Sequence, residues 1–88
     1  MNLKTVCRVL RDDLGAVKNR TEFDVVWLSQ KPGYTRSGAG PRRASLVALL
    51  RLAARLDALA AARVVPVLRD LRAALAVEIA NRVATDAR

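Results

Sequence analysis

Histidine is absent from this 88-residue chain. That removes Ser-His and Cys-His nucleophile pairs and every histidine-based metal site. Cysteine occurs once, at Cys7, which excludes an internal disulfide framework and fits a cytoplasmic setting. Aromatic side chains are limited to Phe23, Trp27 and Tyr34, so base stacking is a poor candidate for a principal binding mode. Acids are scarce too: 8 Asp and Glu face 16 Lys and Arg, a formal charge of +8. In the first half the only acids are Asp12, Asp13, Glu22 and Asp24. Adjacent Asp12 and Asp13 point in different directions on a helix and make no natural acid–base pair. They read as solvated charge beside Arg8 and Arg11. No long uncharged apolar run is present. Leu46–Val65 comes closest, but Arg51, Arg55, Asp57 and Arg63 mark it as a core helix and not a membrane span. Met1–Leu14 is likewise too charged for a signal peptide. These absences predict a protein that is not an enzyme, has no metal or cofactor, and does not engage a membrane.

What is present is alanine, leucine, valine and arginine. Hydrophobic residues make up 52% of the chain, enough for a modest core in a single domain spanning residues 1–88. Alanine and leucine favour helix, so a mainly α fold is expected. Leu3, Val6, Cys7, Leu10, Leu14 and Val17 fall at helical spacing and predict an amphipathic helix over 3–19, with Cys7 an inert thiol on its apolar stripe. A strand over Thr5–Leu10, turning at Asp12–Gly15, is the competing reading. Thr21–Gln30 is β-branched and aromatic, with Phe23, Val25 and Trp27 on one face, and predicts a short strand or extended segment. Lys31-Pro32-Gly33-Tyr34 then fits a type II turn.

From Ala44 onward two long helices are expected, separated by Pro66 and forming either a hairpin or a Pro-kinked rod. In the first, Leu46, Leu49, Leu50, Leu52, Leu56 and Leu59 fan over roughly 180°, wider than the stripe a surface helix needs to cover. The surplus suggests a second subunit, with Trp27, Leu49, Leu52, Leu56 and Leu59 as the interface of a homodimer. Leu68, Leu71, Leu75, Ile79 and Val83 form the stripe of the last helix.

The segment between these halves carries most of the functional signal. Lys31–Arg43 is a loop with four cations and no acid, ending at a helix N-terminus where backbone N–H groups are already partly positive. Arginines placed there make sense if an anion, most naturally phosphate, joins them. Thirteen of the 16 cations are arginine, which grips phosphate bidentately. A GC-rich bacterial or phage genome explains arginine over lysine but not the missing acid. Ser37-Gly38-Ala39-Gly40 lacks the Gly-Lys-Ser/Thr ending of a mononucleotide loop, and no helix-turn-helix, ribbon-helix-helix or zinc signature is visible. The expectation is a small basic nucleic-acid-binding protein whose site is Lys31, Arg36, Arg42, Arg43, Arg51 and Arg55. The alternative is a phage- or bacterial-type inhibitor, adaptor or assembly module acting on an acidic protein partner.

Overall fold

The computed structural model describes residues 3–35 and 45–86. They fall into two compact units, Asn2–Ala44 and Ser45–Arg88. Among the described residues the structure is mainly helical and contains no strand. The elements are α1 (Leu3–Arg8), prolonged by a π-helical turn over Val9–Asp13; α2 (Arg20–Glu22), prolonged by another over Phe23–Trp27; α3 (Leu46–Ala62); and α4 (Pro66–Asp86).

In the N-terminal unit the first helix is real but stops at Asp13, short of the expected 19. Gly15, at φ 60°, sits in the left-handed region and turns the chain. The N–H of Leu14 donates to Val9 O at 3.2 Å and that of Ala16 to Leu10 O at 2.8 Å, so the last carbonyls are satisfied across a widened turn. The strand expected at Thr21–Gln30 is helical instead. Asn19 caps it, its side chain accepting from Glu22 N at 2.8 Å, while the Glu22 carboxylate accepts from Lys18 N at 3.2 Å. That reciprocal arrangement closely resembles a capping box, and it outweighs the β-branched composition. The burial pattern follows: Phe23, Trp27 and Leu28 are buried, whereas Val25 and Val26 are exposed. A strand would have put Val25 on the face of Phe23 and Trp27; the helix turns it outward.

The second helix ends as the first does. Leu28 N donates to Phe23 O at 3.1 Å and Gln30 N to Asp24 O at 2.8 Å, around Ser29 at φ 55°. Leu14 and Leu28 occupy equivalent places at the two ends, and both are buried. With Val6, Cys7, Leu10, Val17, Phe23 and Trp27 they make up the buried apolar set of this unit. The Pro32-Gly33 turn follows as its sequence requires, with Gly33 at φ 85° and Tyr34 N donating to Lys31 O at 3.1 Å.

In the C-terminal unit Ser45 caps α3, its hydroxyl accepting from Ala48 N at 3.2 Å. Ala48, Leu49, Leu52, Ala53 and Leu56 are buried, and the small alanines make this stripe narrower than the leucine pattern alone suggests. Leu50 is the leucine left over, half exposed beside exposed Val47. Arg63 ends α3 in extended conformation (φ −140°, ψ 127°), and Pro66 opens α4, the first helical position that best tolerates its missing N–H. The two helices contact one another. Leu68 and Leu75 are buried at heptad spacing along α4, followed by Arg82, which is 9% exposed. The Asp57–Arg72 ion pair, at 2.9 Å, joins α3 to α4 near the surface.

Candidate functional site

Among the described residues the best-organised polar cluster is built around Asp24, an acid to which the sequence pattern gave no role. Asp24 lies one helical turn before the bend at Ser29, and its side chain is fully buried. One carboxylate oxygen accepts from Thr35 Oγ1 at 2.7 Å and from Thr35 N at 3.3 Å; the other accepts from Gly33 N at 3.1 Å. Its backbone carbonyl also takes the N–H of Gln30. One residue thus holds both the helix end and the Pro-Gly turn that follows. A buried carboxylate is tolerable only when it is multiply hydrogen-bonded, and three donors converge on this one.

Arg20, one turn earlier, completes the clamp. Its Nη2 donates to the carbonyl of Thr35 at 2.7 Å, while its buried Nε has no hydrogen-bond partner. Thr35 is therefore gripped on its N–H, its hydroxyl and its carbonyl. Cys7 lies in the field of these two charges. Burial raises its thiol pKa above the ordinary value, partly opposed by the positive charge of Arg20. Burial thus favours the protonated thiol.

The electrostatic consequence is one-sided. The N-terminal unit holds nine Lys and Arg against four Asp and Glu. Asp24 is consumed inside, Glu22 caps a helix N-terminus, and Asp12 is tied to Arg11 at 2.9 Å, a contact that lowers the Asp12 pKa. Lys4, Arg8, Arg11, Lys18 and Lys31 are all exposed. Among the described residues of this unit, five exposed cations therefore face two exposed acids, Asp12 and Asp13.

Of the site expected from sequence, Lys31 is exposed on the clamped turn, and Arg51 and Arg55 are exposed together on α3. Arg36, Arg42 and Arg43 lie outside the described residues. The residues expected at an oligomer interface have a different environment. Trp27, Leu49, Leu52 and Leu56 are already buried within one chain, and Leu59 is half-buried. The first four are buried without a second subunit. Sequence reasoning missed Asp24, Arg20 and Thr35. The available signal was the helical i, i+4 spacing of Arg20 and Asp24, concealed by reading the segment as a strand. Comparison with protein families, with curated proteins and with solved structures finds no match to this chain. Among the described residues no helix is long and apolar enough to cross a membrane.

Proposed function

We propose that this chain is a small, non-enzymatic nucleic-acid-binding protein. It would grip the phosphate backbone through Lys31, Arg36, Arg42 and Arg43, with Arg51 and Arg55 extending the footprint. The observation that carries the reading is the Asp24–Arg20 clamp on Thr35, the residue immediately before Arg36. Lys31–Arg43, the stretch that contains this residue, carries four cations and no acid, a balance that suits a polyanionic partner. The cationic surface of the N-terminal unit favours the same polyanionic partner. The contact is backbone-directed, since Trp27 is buried and unavailable for stacking.

We read α3 and α4 as a helical hairpin, supported by their mutual contact and by the Asp57–Arg72 pair. The homodimer belongs to the proposal only through Val47 and Leu50, the apolar residues α3 leaves exposed. The test is binding to a generic duplex and a single strand at low and moderate salt. Micromolar binding that weakens steeply with salt, and is lost when Arg36, Arg42 and Arg43 are all replaced by alanine, supports the reading. Binding retained in the triple variant, or no binding at low salt, refutes it.

A further inference from the structure

The C-terminal unit carries a second surface that phosphate binding does not explain. Where α3 ends and α4 begins there is an open groove of about 590 Å³. Its apolar lining comes from Ala60, Val64, Val65, Leu68, Ala73 and Ala76. Val64 is fully exposed, an unusual state for a β-branched aliphatic next to other apolar groups. Beyond the groove the apolar surface continues along α4 through exposed Val77, Ala80 and Val83. Only Leu68 and Leu75 are fully buried apolar positions on this helix, while Val77 and Val83 stay exposed. A contiguous exposed apolar strip beside a groove rimmed by charge marks an interaction surface.

Charge decides which partner. Arg63, Arg69 and Arg72 line the groove, and its one acid, Asp57, is bound to Arg72 at 2.9 Å. A second copy seated here would bring two net-positive grooves together, a like-charge arrangement that opposes association. A nucleic acid would match the groove's net positive charge but leave Val64, Val65 and the alanines against a hydrated phosphate backbone. An amphipathic helix with apolar anchors and acidic flanks satisfies both parts at once. We infer that the α3–α4 groove is a docking site for an acidic amphipathic helix of another protein, separate from the basic segment of the N-terminal unit. Leucine-sized anchors would enter beside Val64 and Ala73, and the partner's acidic flank would meet the net positive rim of the groove, at Arg69 above all. The chain would then join an acidic protein to a polyanion, by two surfaces of different chemistry.

The probe is a synthetic helix-forming peptide with leucines at i, i+3/i+4 and i+7 and glutamates elsewhere, labelled for fluorescence anisotropy and titrated with the whole chain. Because Val64 and Ala73 are exposed, the double variant Val64→Glu, Ala73→Glu keeps the fold, checked by circular dichroism. The inference predicts a Kd of about 50 μM or tighter, weakened at least about tenfold by that variant and about tenfold by Arg69→Glu. Replacing the peptide's glutamates by lysines should weaken binding to a similar degree, and the Arg36, Arg42, Arg43 triple-alanine variant should bind the acidic peptide normally. Four results would overturn it. They are no binding of the acidic peptide, binding indifferent to Val64→Glu, Ala73→Glu, displacement of the bound peptide by duplex DNA, and conversion of an oligomer to monomer by the same double variant.

Discussion

Removal of the Asp24 carboxylate tests the N-terminal unit at its most constrained point. Asp24→Ala deletes three hydrogen bonds, from Gly33 N, Thr35 N and Thr35 Oγ1. Bonds to a charged acceptor are worth about 1.5–3 kcal/mol each, but the freed turn donors are only part-buried and regain water. A net loss of about 2–4 kcal/mol is therefore expected. A unit of this size has about 2–6 kcal/mol of stability in total, so the variant should unfold at much lower denaturant. Trp27, the only tryptophan and a buried one, reports this unit by fluorescence, while far-ultraviolet circular dichroism is dominated by α3 and α4. Urea unfolding should show the Trp27 transition moving down by roughly 2 M or more, with most of the circular dichroism signal unmoved. Thr35→Val is the milder control: it removes only the 2.7 Å hydroxyl bond and should cost about 1–1.5 kcal/mol. In the double variant the two losses should fall short of additivity by about 1 kcal/mol, since the shared bond can be lost once only. An Asp24→Ala curve superimposable on wild type would refute the clamp.

The two helix ends give a matched pair: Gly15→Ala should destabilise by about 1 kcal/mol, purely from its φ of 60° since an added Cβ meets no atom within 4 Å, whereas Ser29→Gly should stabilise by a similar amount; urea midpoints read both. Leu75→Ala, at a fully buried position of α4, should lose about 2–4 kcal/mol in helical-signal melting. Asp57→Ala should change stability by less than about 1 kcal/mol, because its pair with Arg72 is largely exposed. Folding holds the Cys7 thiol protonated, its pKa raised above 9.0 by burial. That contribution is complete below the unfolded thiol's pKa and is lost as pH rises through the folded value. Stability should therefore decline above about pH 9 in the wild type and less so in Cys7→Ser, with alkylation of native Cys7 far slower than in urea.

What the sequence made legible was helix where periodicity and propensity agreed. The start of α3 close to the expected Ala44, the break at Pro66 and the Pro32-Gly33 turn follow from local rules, as does the burial of Leu68 and Leu75, whereas Val83, expected on the same stripe of α4, is exposed. The failures have one origin: weighing side-chain shape over end chemistry. Phe23, Val25, Val26 and Trp27 look like a strand by composition, but Asn19 and Glu22 supply the caps that start a helix, and the i, i+4 burial of Phe23 and Trp27 sustains it. The same error hid the clamp. On a strand Asp24 is one more surface acid, whereas on a helix ending at Ser29 it points into the following turn. Counting leucines also overstated the apolar face of α3, because Ala48 and Ala53 take buried positions while Leu50 does not. The groove was not foreseeable from periodicity, since it arises where two helices meet at Arg63–Val65 and not along either one.

The central claim, that the basic segment following the clamp binds nucleic acid through phosphates, is tested most directly by the salt dependence of duplex binding. The logarithm of the association constant, plotted against the logarithm of salt concentration, falls with a slope of about −0.9 for each phosphate neutralised. Replacing Arg36, Arg42 and Arg43 by alanine should flatten that slope by about 2–3, with helical content unchanged. A wild-type slope near zero, or one that the triple replacement leaves as steep as before, would contradict the account.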